Sequence, residues 1–357
     1  MGRFRIILLA LLQHGFTIAM PVCYTQYMLK ELTEKYRSLS IIGMCKNAGK
    51  TTVLNRLITE LHSVRKLALT SIGRDGESVD VVTHTFKPGI YVYEGTLVAT
   101  AAGLLKYCNI TREIVASLGI NTPLGEVALV RARSDGDVQL AGPSMTVQLA
   151  ALSGEFFAIG ADMVLIDGAI SRKTLCAPAV SEATILCTGA SYHKDINVVV
   201  EDTAFAVELL TLPQQTQWTQ AEFELKHKVL LKGARVVPLP NIPLLDALRD
   251  EAYSDTECIY VNGALTDAMI TPLLMAGIPL SNIEITVRDG SKLLLSKSTY
   301  EKLRTRGARI SVVRRTDVAA VTVNPISAYG FDFNAAELLK RMEVAVNVPV
   351  IDVGRGI

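Results

Sequence analysis

The chain has 357 residues, of which 49% are hydrophobic and 20% are charged, and its formal net charge is +1. This length is sufficient for two domains with large cores. A nearly neutral chain without a long basic run gives no support for nucleic-acid binding. Its six cysteines lack the paired spacing of a zinc site, which predicts reduced thiols in a cytosolic protein.

The segment before residue 29 has the pattern of a secretory signal, because two arginines precede a short apolar run. This run is too short to span a membrane, and the residues before Cys23 make a poor cleavage site. We therefore expect Met20 or Met28 to be the true first residue. Residues 1–28 are then an extra N-terminal segment of a cytoplasmic protein without a membrane partner.

Residues 40–57 combine a short apolar strand, a loop of small residues and an amphipathic helix. A triphosphate requires inward-pointing backbone N–H groups, a flexible cation for its β- and γ-oxygens and a hydroxyl for Mg²⁺, and this pattern supplies all three. We therefore predict that Lys50 is catalytic and that Thr51 binds Mg²⁺. The predicted nucleotide-binding residues of this stretch are Gly43, Lys46, Asn47, Ala48, Gly49, Lys50, Thr51 and Thr52.

The glycine spacing of this loop differs from the usual phosphate-binding pattern. That pattern would have its first glycine at position 44, where this chain has Met44, and the glycine here is one position earlier, Gly43. The spacing found here resembles that of dethiobiotin-synthetase-like P-loop proteins. Residues 46–52 also resemble the loop of the molybdopterin-guanine-dinucleotide protein B family. The alternative is an ordinary strand–loop–helix unit in which Lys50 is simply solvated.

A second strand is predicted over residues 67–72, followed by a charged loop with glycines on both sides. Ligands of doubly wound sheets lie at the carboxyl ends of the strands. Asp75 is therefore a candidate for ordering an attacking water or sensing the γ-phosphate, and Arg74 for contacting phosphate. The alternative is a solvated turn, which the same residues would also form.

The next part of the chain has weaker patterns. Alternating residues on either side of an Asp-Gly pair predict a hairpin with strands at 125–133 and 138–141. The other predicted elements here are a strand at 90–93, a helix at 95–107 and a helix at 144–159.

Residues 162–169 form a buried aliphatic strand that ends in Asp167 and Gly168. A strand that orders Mg²⁺ has this pattern, because its carboxylate must emerge at the sheet edge that faces the phosphates. We predict that Asp167 is catalytic and binds Mg²⁺, and that Gly168 lies against the nucleotide.

A further strand at 181–188 and a helix at 196–210 complete the predicted nucleotide-binding domain. The tetrapeptide Asn/Thr-Lys-x-Asp, which reads guanine in GTPases, occurs nowhere in the chain, so ATP is the expected nucleotide.

Strands and helices alternate again in the rest of the chain, after a linker-like stretch at 213–222. The first two elements predicted here are a strand at 229–236 and a helix at 244–252. The predicted fold class is α/β: a P-loop NTPase with a mostly parallel doubly wound sheet, plus a second α/β domain. The predicted domains are residues 29–212 and 223–357, and the strand-end loops of the second could form an interface, a ligand cleft or plain turns.

The order and spacing of several motifs resemble the P-loop subunit of the lysine 5,6-aminomutase reactivase, from about Leu29 to the C-terminus. These motifs are GMCKNAGKTT, TSIGRDGESVDVVTHTFKP, VLIDGAISRK, SEATILCTGA, TVNP and PVIDV. The resemblance implies a subunit of an ATP-dependent reactivating factor, which hydrolyses MgATP to drive exchange of damaged adenosylcobalamin in an aminomutase. Its partners would be a second, MutS-like subunit and the aminomutase itself, in lysine fermentation.

Two other functions are compatible with the same motifs. One is a dethiobiotin-synthetase-like ATP-dependent ligase whose second domain binds a carboxylate substrate. The other is a nucleotide-gated binding module with negligible turnover. Partner-stimulated ATPase activity would favour the reactivating factor. Substrate-dependent phosphate release would favour the ligase, and tight nucleotide binding without phosphate release would favour the binding module.

Overall fold

The computed structural model describes residues 29–72, 89–169, 180–225, 227–239 and 242–354. These residues form an α/β structure with a large mixed sheet of mostly parallel strands and a smaller five-stranded sheet. The strands are β1 (Ser38–Gly43), β2 (Leu67–Ser71), β3 (Ile90–Val92), β4 (Leu97–Ala101), β5 (Arg112–Thr122), β6 (Gly125–Ala132), β7 (Gly136–Val138), β8 (Met163–Ala169), β9 (Ala183–Gly189), β10 (Val229–Lys232), β11 (Val236–Pro238), β12 (Cys258–Val261), β13 (Leu265–Thr266), β14 (Glu284–Val287), β15 (Leu293–Leu294), β16 (Arg309–Val312), β17 (Asp317–Asn324) and β18 (Val350–Asp352). The helices are α1 (Leu29–Thr33), α2 (Lys50–Leu61), α3 (Thr146–Ala158), α4 (Ile196–Leu210), α5 (Gln220–Glu224), α6 (Leu244–Ala247), α7 (Asp267–Met275), α8 (Lys297–Thr305) and α9 (Ala335–Ala345).

The large sheet has the strand order β18-β17-β9-β1-β8-β2-β4-β6-β5. Neighbouring strands are parallel from β18 to β4, whereas β6 and β5 add antiparallel pairs at one edge. Every residue of β1, β2, β4 and β9 is buried. Strands buried along their whole length are typical of a parallel sheet that is covered on both faces. The predicted α/β class with a mostly parallel sheet is thus confirmed.

Helices cover both faces of this sheet, and each helix buries an apolar stripe. One face packs against α2, while α3, α4 and α9 pack against the other. The buried residues of α2 recur at helical spacing, as an amphipathic helix requires. They are Val53, Leu54, Leu57, Ile58 and Leu61.

The smaller sheet has the order β11-β10-β12-β14-β16, with antiparallel β10 and β11 beside three parallel strands. It lies between α4 and β17 along the chain, and β17 then pairs with β9 of the large sheet. The predicted second domain, residues 223–357, is therefore not a continuous unit in the structure, because β17 and β18 belong to the large sheet. The sequence pattern orders the elements along the chain, but it does not say which sheet a buried strand joins.

The helix predicted over 95–107 is wrong, because this stretch contains β4 and a 3₁₀ helix, Ala102–Tyr107. All five residues of β4 are buried between its neighbours β2 and β6. A short apolar run can be a buried strand or a buried helix, and periodicity does not distinguish the two.

The hairpin predicted at the Asp-Gly pair is also wrong. Strand β6 pairs with β5, which precedes it, and β7 pairs with β3. The strand predicted over 229–236 is in fact the antiparallel pair β10 and β11. The predicted helix 244–252 ends at Ala247, and a 3₁₀ turn follows at Glu251–Tyr253.

Within the part of the chain that the structure describes, no helix combines the length and apolar character needed to cross a membrane. The N-terminal segment 1–28 lies outside the described residues.

Candidate functional site

The carboxyl ends of the parallel strands meet at one edge of the large sheet. From β1 the chain crosses to β2 on one side, whereas from β9 it proceeds to β17 on the other side. A crevice forms outside the carboxyl ends of two neighbouring strands whose connections leave in opposite directions, and ligands of open α/β sheets bind there. Here the crevice lies between β1 and β9, where the loop after β1 begins.

The β1–α2 loop, residues 44–49, is held to this edge by a hydrogen bond from the Met44 N–H to the Cys187 carbonyl, 2.8 Å long. Two of its residues have left-handed backbone conformations, Asn47 with φ of 59° and Gly49 with φ of 90°. Gly49 lies directly before the first residue of α2. Glycine adopts this conformation without the steric cost of a Cβ atom, so it can turn the chain into the helix.

The loop and the start of α2 present a row of backbone donors. The N–H groups of residues 47–52 form no hydrogen bond with any other described residue, and the first intrahelical bond joins the Val53 N–H to the Gly49 carbonyl at 3.0 Å. The first N–H groups of a helix have no partner within it, and the helix dipole adds positive charge there. This arrangement can bind an anion.

The side chain of Lys50 folds back over the same loop. Its Nζ lies 3.4 Å from the Cys45 carbonyl oxygen. A Cβ atom on Gly43 would lie 2.9 Å from Lys50 Cγ, so the glycine leaves room for this side chain. Among the described residues Lys50 forms no ion pair, and its charge therefore remains available to a ligand.

Asp167 lies on β8, the direct neighbour of β1, where it pairs in register with Ile41, while Gly168 pairs with Ile42. Its side chain is buried, with only 7% of the residue exposed. Asp167 and Lys50 both act on the thiol of Cys187 in β9. Burial raises the pKa of Cys187 to about 12, a hydrogen bond with Thr322 and the charge of Lys50 lower it, and Asp167 raises it. The structure thus brings these two predicted catalytic residues to the same part of the sheet edge.

Strand β2 lies on the other side of β8, and its last residue, Ser71, pairs in register with Asp167. The next residue, Ile72, donates its N–H to the Asp167 carbonyl at 3.1 Å. The chain therefore leaves β2 beside Asp167. The predicted site residues Arg74 and Asp75 follow within three positions, but they lie outside the described residues.

The remaining predicted loop residues differ in their exposure. Lys46 is exposed and Thr51 and Thr52 are half-buried in the first turn of α2, whereas Ala48 is only 1% exposed and packs into the core. Ala48 can therefore contact a ligand only through its backbone N–H group, not through its side chain.

Asn47 has a buried side-chain nitrogen, Nδ2, with no hydrogen-bond partner among the described residues. Cys45 is half-buried, and burial raises its pKa to about 11 although Lys50 lowers it. A thiol with so high a pKa is protonated at neutral pH and is a poor nucleophile.

Asn324 belongs to this site, although the sequence pattern marks it only as the start of a strand-end loop. It is the last residue of β17, and its Nδ2 donates a hydrogen bond of 3.3 Å to the Asn47 carbonyl, 277 positions away in the chain. On the same side, Val353 lies against Gly49. A polar residue at the end of a buried strand was the available signal, but it did not reveal the contact.

No group of three or more His, Cys, Asp or Glu side chains that could hold a metal occurs among the described residues. The oxygen atoms of Thr51 and Asp167 are nevertheless of the type that Mg²⁺ prefers. Mg²⁺ in nucleotide sites is usually bound by one or two protein groups together with phosphate and water, which this pair fits.

Comparisons with protein-family models, with curated proteins and with solved structures found no match to this chain.

Proposed function

We propose that the chain is a P-loop NTPase that binds MgATP at the β1–α2 loop and hydrolyses it. The observation that carries this proposal is the set of N–H groups of residues 47–52 that have no partner among the described residues, with Lys50 folded over them. A triphosphate bears several negative charges, and its oxygens accept hydrogen bonds. A flexible cation above a row of N–H donors at a helix N-terminus matches that chemistry.

Each residue of the loop has a distinct part in this proposal. Lys50 neutralises charge on the β- and γ-phosphates, while the N–H groups of Gly49, Thr51 and their neighbours donate to phosphate oxygens. Hydrogen bonds to charged groups are stronger than those between neutral groups. Lys46 and the buried Nδ2 of Asn47 are additional donors for the ligand.

Thr51 and Asp167 would hold Mg²⁺, directly or through water. The ion would neutralise charge that develops on the phosphates during hydrolysis. Asp167 suits this part because it lies on the strand next to β1 and is buried beside the loop. Gly168 has no side chain, so the backbone after Asp167 could lie close to the nucleotide.

Asp75 would order the attacking water or sense the γ-phosphate, and Arg74 would contact phosphate. Both assignments come from their position directly after β2, whose end lies beside Asp167. Hydrolysis would then move the loops after β2 and β8 and so bias the conformation of a partner.

The biological role that we propose is reactivation of an adenosylcobalamin-dependent aminomutase of the lysine 5,6-aminomutase type. This step rests on the resemblance in motif order described above. The chain would act in the cytoplasm, where ATP is available, together with a second, MutS-like subunit, and ATP hydrolysis would drive exchange of the damaged cofactor.

A reactivation assay tests this role. A lysine 5,6-aminomutase is inactivated by turnover and then given the chain, its partner subunit, MgATP and fresh adenosylcobalamin. We expect recovery of activity with the wild-type chain. With Asp75→Asn, which keeps the shape but removes the charge, we expect ATP binding without hydrolysis or recovery. Equal recovery with Asp75→Asn would remove Asp75 from the mechanism. No recovery with the wild-type pair, on lysine and ornithine mutases alike, would rule out the reactivating role.

A further inference from the structure

The conformation of Asn47 needs an explanation, because a residue other than glycine rarely has a positive φ. Its φ is 59°, and among the described residues no other non-glycine residue has a positive φ. Asparagine tolerates this conformation best when its side chain forms a local hydrogen bond. Here the buried Nδ2 of Asn47 has no such partner among the described residues. Among the described residues, the contact that supports this conformation is made through another atom of Asn47.

That atom is the Asn47 carbonyl oxygen, which accepts the hydrogen bond from Asn324 Nδ2 at 3.3 Å. The side chain of Asn324 is itself fixed, because its Oδ1 accepts the Ile326 N–H at 3.1 Å. Its backbone is fixed as well, because its carbonyl accepts the Ala190 N–H at 2.9 Å. The donor thus approaches Asn47 from a rigid strand end.

Asn324 also lies against the second left-handed residue of the loop. A Cβ atom on Gly49 would be 3.5 Å from Asn324 Cβ, and 3.4 Å from Val353 Cγ2. The ends of β17 and β18 therefore support the loop at Asn47 and at Gly49. The N–H groups that have no partner in the described part of the chain belong to this same stretch, residues 47–52.

We propose that Asn324 is a positioning residue, which holds the β1–α2 loop in the conformation that aims its N–H groups at a triphosphate. This inference rests on the proposed function, since the aligned donors matter only if a phosphate group binds them. Asn324 would then contribute to binding of the phosphate groups and not to recognition of the nucleotide base. It also makes nucleotide affinity depend on the strand by which the chain returns to the large sheet after the smaller one.

The first test compares the affinity of wild type and Asn324→Ala for MgATP, MgGTP and inorganic tripolyphosphate with Mg²⁺. Loss of one hydrogen bond to the loop should weaken all three by the same factor, about 3- to 10-fold. Asn262→Ala is the matched control, because Asn262 follows a strand of the smaller sheet. If Asn324→Ala fails to fold, Asn324→Ser replaces it, since serine can still accept the Ile326 N–H, whereas its side chain is one bond too short to place a donor where Asn324 Nδ2 lies.

The second test needs no nucleotide. Amide hydrogen exchange of Met44 and Val53, whose N–H groups are hydrogen-bonded at the two ends of the loop, should be faster in Asn324→Ala than in wild type, while the rest of α2 is unchanged. In an Asn47→Gly background, Asn324→Ala should lower the triphosphate affinity far less than it does in wild type, because glycine adopts the left-handed conformation without help. A merely structural role of Asn324 would cost the same affinity in both backgrounds.

A loss confined to ATP would overturn the inference, because it would assign Asn324 to the base. Unchanged affinity for all three ligands, or unchanged exchange in the loop, would overturn it as well. If wild type binds no triphosphate, the proposed function fails. The exchange measurement then still decides whether Asn324 holds the loop.

Discussion

Cys45 shows how one residue of the loop is controlled by its surroundings. The thiolate is the reactive form of cysteine, and burial raises the pKa of Cys45 to about 11. The pKa of Cys45 in the folded protein thus lies above the ordinary value of 9.0 for a cysteine thiol. Burial of the neutral thiol therefore contributes stability below about pH 9, and this contribution is lost as the pH rises toward 11.

We predict that iodoacetamide alkylates Cys45 slowly at pH 8, and that the rate increases only as the pH approaches the raised pKa of the thiol. The rate is measured by mass spectrometry of the Cys45 peptide. The denatured protein is the control, because its thiol titrates near the ordinary value. Alkylation at pH 8 that is as fast in the folded as in the denatured protein would contradict the burial of this thiol.

The roles proposed for Lys50, Thr51 and Asp167 were predicted at the residue scale, because each requirement is visible within a few positions of the chain. A cation and a hydroxyl follow the loop, and an acid ends a buried strand. Asn324 could not be predicted, because its contact with Asn47 spans 277 positions and depends on the pairing of β17 with β9.

Helix α4 connects the candidate site with the smaller sheet. It begins after the loop that follows β9, where the side chain of Asp195 accepts the Asn197 N–H. At its other end Gly290 packs so closely that a Cβ atom there would overlap the Leu209 carbonyl. Two ion pairs add to this contact, Lys297 with Glu201 at 2.8 Å and Arg304 with Glu208 at 2.6 Å. The side chains of both pairs are exposed, so each contributes at most about 1 kcal/mol.

The close approach at Gly290 should therefore matter more than the ion pairs. We predict that Gly290→Ala lowers the free energy of unfolding by about 1–3 kcal/mol, because the added methyl group must separate α4 from the smaller sheet. Chemical denaturation measures this change.

Gly263→Ala is the matched control, since a Cβ atom on Gly263 would meet no other atom within 4 Å. Its free energy of unfolding should stay within about 0.5 kcal/mol of wild type. Equal effects of the two substitutions would show that the packing at Leu209 is not tight.

At the element scale, local patterns predicted α4 with the bounds found, 196–210. Pairing was not predictable in the same way. The Asp-Gly pair at 135–136 indicated a hairpin, but β6 pairs with β5 and β7 with β3. Turn residues report local backbone preference, whereas the partner of a strand depends on packing across the sheet.

At the scale of the whole molecule, the sequence predicted an α/β chain with a mostly parallel sheet, and the structure confirms it. The return of the chain to the large sheet was not predictable. Strand β17 is buried along most of its length and would fit the interior of either sheet. The identity of the nucleotide and of the partner stays a prediction.

The absence of the guanine-reading tetrapeptide from the sequence leads to a prediction about the whole chain. Competition between ATP and GTP for the purified protein should favour ATP, because no Asn/Thr-Lys-x-Asp carboxylate is present to pair with guanine. Equilibrium binding with both nucleotides at equal concentration measures the preference. A clear preference for GTP would mean that other residues read guanine, and the ATP assignment would be wrong.

The binding of MgATP to wild type and to Lys50→Ala, measured by titration calorimetry, tests the central claim most directly. Loss of a charged contact to phosphate should cost roughly 1.5–3 kcal/mol, so the affinity should fall at least about 10-fold. Lys340→Ala removes an exposed lysine of α9 and should bind MgATP like wild type. Equal affinity of wild type and Lys50→Ala, or no binding of MgATP by wild type, would contradict the account.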